Sequence, residues 1–288
     1  MRDKLINWSL FTILSLIWGS SFILMKEGMK TLTPYHVASL RILSAGVVLI
    51  PFARKALLQV PKEKMLLVIL SGLLGSFFPA YLFCIAETRI DSSLAGIMNA
   101  LTPLFTIIIG IAFFQLRAGR RKIIGVLVGF LGLCLLIAPK GDFRFEDFYY
   151  SLLVLLATVF YGINVNMVGR HMQGVGSLNI ASLAFVFLII PTLIILYATG
   201  YFALPLLATE VIISTLASVV LGVFGTAIAS ILFYMLVKRA GTLFASMVTY
   251  GIPFIAVLWG IWGGETITLL QVGCLGIILV GVYLVNKK

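Results

Sequence analysis

Charge, and the residue types that usually carry chemistry, are scarce in this sequence. Of its 288 residues only 10 are acidic, 2 are histidine and 3 are cysteine. Charged residues make up 11% and apolar ones 61%, with a mean hydropathy of +1.14, which excludes a water-soluble domain. No Asp or Glu falls inside an apolar run. Pumps keep their proton or sodium relays there, so the sequence favours facilitated diffusion or exchange over coupling through a buried carboxylate. Neither HExxH nor GxSxG occurs. Without an intramembrane acid there is little from which to build a nucleophile–base set or a metal cluster, so no catalytic residues, metal ligands or cofactor are expected. Cys84, Cys134 and Cys274 lie within apolar runs and are read as packing residues, not as a disulfide or metal site. His36 and His171 fall near run ends and are read as solvated. The longest connection, about 199–210, is too short to fold alone, whereas a receptor or scaffold is expected to carry a soluble module.

What the chain does have is ten apolar stretches, near 7–25, 34–53, 64–86, 94–114, 121–139, 147–168, 177–198, 211–237, 242–262 and 267–285. Each is long enough for a hydrocarbon core of roughly 30 Å, which takes about 20 helical residues. They are continuously apolar rather than alternating, so the fold class is an all-α polytopic membrane protein, not a barrel. The run from Leu5 to Met25 is too long for the core of a signal peptide and ends in Lys26 and Glu27, so it is read as a retained first helix.

The net charge of +11 is explained by where it sits. Fifteen Lys and Arg fall on the side of the N-terminus and five on the other, with Arg41 inside a span. The preference of basic residues for the cytoplasm predicts a bacterial inner-membrane protein with both termini inside. The basic balance is thus an insertion signal with a lipid-bilayer partner, and no nucleic acid is expected.

An internal repeat organises the chain. Gly72, Gly75, Leu82, Phe83, Arg89, Ala95, Pro103 and Gly110 match Gly222, Gly225, Leu232, Phe233, Arg239, Ala245, Pro253 and Gly260 at a constant offset of 150. Trp18-Gly19 aligns with Tyr161-Gly162, and His36 to Leu40 with Asn179 to Leu183, at 143. The polar stretch 140–147 divides the chain into units 1–140 and 141–288, each of five spans. Five is odd, so the units are expected to be inverted relative to each other. Two inverted bundles can expose a central site to alternate sides of a membrane.

Trp18-Gly19-Ser20-Ser21-Phe22, Ser39-Leu40-Arg41, Pro103 in the fourth span, and Gly264-Glu265 before Gly273 and Gly281 carry a resemblance. In their order, and in the duplication, the entire chain resembles two units of the EamA branch of the drug/metabolite transporter superfamily. One departure is Gln115 where the second unit has Glu265. The resemblance implies ten helices around a central cavity and transport of a small organic metabolite, amino acids among them. Export is favoured; import of a nucleoside, vitamin or amine is the alternative.

Pro103 and Pro253 fall at the centres of spans 4 and 9. A helical proline frees the carbonyl four residues earlier and kinks the helix. Those carbonyls belong to Asn99 and Thr249, which are predicted to line the cavity as a polar pair. Trp18, Ser21, Tyr81, Tyr161, Asn164, Ser230, Tyr234 and Tyr250 are the remaining cavity candidates, suited to a substrate part ring and part polar. Arg41, which costs roughly 2.5–3.5 kcal/mol if unpaired in a span, is expected to act structurally or in gating; reading a substrate carboxylate is the competing role. Gly125, Gly129, Gly132, Gly273, Gly276 and Gly281 give spans 5 and 10 small-residue faces, expected to meet each other at the periphery in preference to joining two protomers; the assembly is expected to be a monomer or homodimer.

Overall fold

The computed structural model describes residues 2–90, 92–137, 148–255 and 269–286. The boundary stretch 140–147, Asp91, the Gly264-Glu265 element and the far half of the run 242–262 lie outside the described residues. Everything regular within them is helical. Six helical stretches are long and apolar enough to cross a membrane: Arg2–Gly28, Pro34–Gln59, Lys62–Ala86, Phe148–His171, Ser177–Ala198 and Thr209–Ala240. Shorter apolar helices cover Thr102–Phe114, Thr242–Ile255 and Val272–Val285.

In chain order, the helices are α1 (Arg2–Gly28), α2 (Pro34–Gln59), α3 (Met65–Gly72), α4 (Phe78–Ala86), α5 (Ser92–Asn99), α6 (Thr102–Phe114), α7 (Arg120–Ile137), α8 (Phe148–His171), α9 (Ser177–Phe187), α10 (Ile189–Ala198), α11 (Thr209–Gly222), α12 (Ala229–Ala240) and α13 (Thr242–Ser246), followed by a last helix, Leu269–Asn286. Local sequence sets several boundaries. The α2 start has Thr33 accepting the His36 amide at 3.2 Å, with Pro34 in the first turn, where its missing N–H costs nothing. The α3–α4 and α11–α12 pairs are joined by single π-helical turns, Leu73–Phe77 and Val223–Ile228. These occupy matching places in the repeat, and such turns loosen the i→i−4 ladder locally.

Glycines show how the halves interlock. A Cβ on Gly19 would fall 2.5 Å from Ile255 Cβ, and one on Gly162 would fall 3.1 Å from the Phe105 carbonyl carbon. One on Gly225 would meet Ser21 Oγ at 2.9 Å, and one on Gly75 would meet Asn164 Cγ at 2.9 Å. One on Gly222 meets the Arg41 backbone at 3.0 Å, and one on Gly72 the Ala184 carbonyl at 3.0 Å. In each case the two contacts map onto each other through the sequence repeat, with the halves exchanged. A pseudo-twofold arrangement follows, in which α1 packs on the second half and α8 on the first.

The sense of the helices is visible at one end of the molecule. Asp3, Lys4 and Val285 share the wall of a vestibule of about 1030 Å³, so the start of α1 and the end of the last helix lie there. There α1 begins and its counterpart α8 ends, at Gly169 and Arg170; the fourth span ends, at Phe114 of α6, and its counterpart, the ninth, begins at Thr242 of α13. Counterpart helices therefore run in opposite directions.

The seam between α7 and the last helix brings backbones together. Cβ atoms would meet Gly281 O from Gly125 at 2.8 Å, Gly129 N from Gly281 at 2.5 Å and Ile278 N from Gly132 at 3.0 Å. The small-residue faces of spans 5 and 10 thus meet within one chain. Among the described residues a Cβ on Gly273 or Gly276 would meet nothing within 4 Å, so neither is part of this seam. His36, read as solvated from the sequence, is buried: its Nε2 lies 3.1 Å from Thr199 O and its ring packs edge-on against Tyr201. The connection after α10 folds back over it. His171 is exposed, as expected.

Candidate functional site

A cavity of about 110 Å³, room for several waters, lies among α1, α2, α4, α8 and α12, the two π turns, and the breaks in the fourth and ninth spans. Of the ten residues expected to line it, Trp18, Ser21, Asn99, Tyr161, Asn164, Ser230, Tyr234 and Thr249 do; Tyr81 and Tyr250 do not.

Tyr81 turns to α2, where its hydroxyl meets Ser39 Oγ at 2.6 Å and its ring packs on Phe77. Tyr250 turns the other way, its hydroxyl donating to Val126 O at 2.8 Å and its ring lying against Gly129 of α7. It fastens the peripheral seam to the core. Tyr250→Phe is expected to lower stability by about 1 kcal/mol, the net worth of a buried hydrogen bond, with turnover near normal; a thermal melt in detergent beside a transport assay checks it.

The prolines act differently from the expected mid-helix kinks. Pro103 stands in the first turn of α6, after a break that ends α5 at Asn99. The freed Asn99 carbonyl is already taken by Thr102 Oγ1, which donates to it at 2.6 Å. On the other side Thr249 lies in a 3₁₀ stretch, Met247–Tyr250, and donates to Ser246 O at 3.1 Å; Pro253 opens the helical turn beyond Gly251. Both spans are discontinuous at the cavity, which Asn99, Thr102, Ser246 and Thr249 line.

Aromatic pairs close the wall, exchanged between the halves like the glycines. Trp18 packs on Phe233 with centroids 5.3 Å apart, and Tyr161 stacks on Phe83 at 6.2 Å. Trp18 Nε1 donates to Gly225 O at 3.1 Å, within a π turn. Tyr234 is buried with its hydroxyl 2.9 Å from Ser71 Oγ. Asn164 is 3% exposed, and its Oδ1 has no partner.

Arg41 belongs to this wall. Its Nε donates to Thr226 Oγ1 at 2.6 Å, and among the described residues no carboxylate pairs with it. The sequence reading missed Phe22, Met25, Gly75, Ser76, Phe83, Thr102, Gly225, Thr226, Phe233, Ser246 and Ile252. Several carried a signal. Gly75/Gly225 and Phe83/Phe233 are identities of the repeat, and Ser76/Thr226 is a polar pair at the same offset.

The fold is that of a polytopic helical membrane protein with an internal cavity, and comparison with known proteins identifies its family. The pattern of the EamA-like transporter family matches residues 6–138 and again 148–287. The chain belongs to that family. It is 26% identical over 288 residues to an uncharacterized transporter of Archaeoglobus fulgidus, covering 98% of this chain and 99% of that one. It is 27% identical to the uncharacterized inner membrane transporter YedA of Escherichia coli over 95% of this chain and 88% of that protein. A shorter match, 29% over 42% of this chain and 39% of the other, is to a Salmonella typhimurium protein named "Probable amino-acid metabolite efflux pump". One solved crystal structure superposes with a TM-score of 0.74, covering 98% of this chain and 96% of that one, at 18% identity, which speaks to the fold alone.

Proposed function

We propose that this is an inner-membrane exporter of a small organic metabolite, an amino acid or a compound made from one, working by alternating access. Ten transmembrane helices form two inverted units, 1–140 and 141–288, with both termini in the cytoplasm. The observation that carries the reading is the exchange of partners about the cavity, Trp18 with Phe233 and Tyr161 with Phe83. Two units that each supply half of one wall can trade conformations and so open the same site to either side. The start of α1 and the end of the last helix at the basic vestibule support the cytoplasmic placement, and the printed name of the Salmonella relative supports export. The cavity wall holds no carboxylate among the described residues, which favours exchange or facilitated diffusion.

Asn99→Ala combined with Thr249→Val is expected to cut exchange in proteoliposomes by at least about tenfold at normal expression, equivalent to roughly 1.4 kcal/mol. Unchanged exchange would remove the cavity from the pathway. Greater sensitivity of a deletion strain to toxic amino-acid analogues, without a defect on limiting nutrients, is the result expected for an exporter.

A further inference from the structure

A guanidinium with no carboxylate at ion-pair distance among the described residues is the least expected feature of this cavity. Arg41 Nε is held by Thr226 Oγ1 at 2.6 Å, which aims the side chain and leaves the two Nη groups without a hydrogen-bond partner among the described residues. Those two groups form a fork that fits the two oxygens of one carboxylate end-on. The wall around it has aromatic and neutral polar groups but no described Asp or Glu; Glu87, one turn past Phe83, stands outside it. A substrate ammonium would therefore be desolvated with no opposite charge to meet it. A second atom is also unsatisfied: Asn164 Oδ1, buried in the same wall, lacks a donor. At the separate pocket where α1 begins, Lys4, Arg117, Lys122, Arg170 and Arg239 stand beside the acid Asp3 among the described residues, a basic balance that insertion alone favours. Anion selection therefore rests on Arg41.

We infer that the cavity selects organic monoanions, with a carboxylate on Arg41, an apolar or aromatic body against Trp18 and Tyr161, and a neutral hydroxyl or N–H donor to Asn164 Oδ1. Zwitterions and amines are disfavoured. The inference rests on the transport reading above and narrows its substrate from the amino acid itself to a compound made from one that carries a carboxylate and no ammonium.

A matched series tests it on the purified full-length protein by ligand-induced shifts of the melting midpoint: 3-phenyllactate, 3-phenylpropionate, 3-phenylpropanamide, phenylalanine and phenethylamine. The expected order is phenyllactate first, then phenylpropionate, at least about tenfold tighter than phenylalanine, with the amide and the amine weakest. Arg41→Gln is expected to erase the gap between phenylpropionate and its amide, and Arg41→Lys to keep part of it. Asn164→Leu is expected to erase the gap between phenyllactate and phenylpropionate. Phenylalanine or phenethylamine binding the wild type as well as the acids overturns the inference, as does binding of none of the five; these outcomes stand even if the Arg41 variants do not fold. Uptake of the same compounds by proteoliposomes separates the two readings. Acids that bind but are never moved sink the transport reading and leave the anion site, whereas movement of phenylalanine but not of the acids sinks the anion site alone.

Discussion

Gly281→Val is expected to leave almost no folded protein. A Cβ at that position would stand 2.5 Å from the amide nitrogen and 2.6 Å from the Cα of Gly129, and 2.6 Å from the carbonyl oxygen of Gly125. All three are backbone atoms of α7, so no side chain can rotate away, and two helices must separate along their length. Overpacking of this kind typically costs about 1–3 kcal/mol and can exceed that where nothing relaxes. In a membrane the contact has no hydrophobic drive to compensate, because lipid tails receive the separated faces equally well. Size-exclusion of the solubilised protein should show loss of the monodisperse peak. Gly273→Val and Gly276→Val, on the same helix with nothing within 4 Å among the described residues, are the controls and should behave as wild type to within about 0.5 kcal/mol.

Gly225→Val is expected to do the reverse, sparing the fold and stopping transport. Its new Cβ would meet Ser21 Oγ and Leu221 Cδ1, both at 2.9 Å, and both are ends of side chains that can turn aside. The protein should melt within several degrees of wild type, since about 1 kcal/mol shifts a chain of this size by roughly 2–4 °C. The added methyl groups, however, enter the wall beside Trp18 and stiffen a π turn that the two-sided cycle has to bend. A loss of exchange of at least about tenfold, with a monodisperse folded protein, is the expected outcome. Full activity would show that neither the turn nor its side of the cavity takes part. Gly75→Val, whose Cβ would run into the buried Asn164 amide, is expected to cost stability as well as exchange.

Much of this was legible in the sequence because hydropathy and repetition are both long-range signals. Apolar runs gave the helices to within a few residues: 147–168 is Phe148–His171 and 267–285 is Leu269–Asn286. The constant offset of 150 pointed to the paired glycines. What could not be read was direction around a helix. Tyr81 and Tyr234 both stand in polar-studded spans, yet one hydroxyl turns to Ser39 and away from the cavity while the other ring borders it. A rotation of under one residue separates those outcomes, and composition does not record it. The proline rule failed for a related reason. It assumed a continuous helix, whereas Thr102 caps the Asn99 carbonyl and lets the helix stop and restart. His36 was misplaced because burial came from the connection at Tyr201, far along the chain.

The exchange of partners between halves bears on how the protein is made. The bond from Trp18 to Gly225 spans 207 residues, and at roughly 5–20 residues per second the ribosome needs about 10–40 s to deliver the second partner after the first. Throughout that interval α1 lies in the bilayer with its serine and glycine face bare. The first half is thus a waiting intermediate rather than a finished unit. Any cell that makes this protein must hold it unaggregated until α11 and α12 arrive.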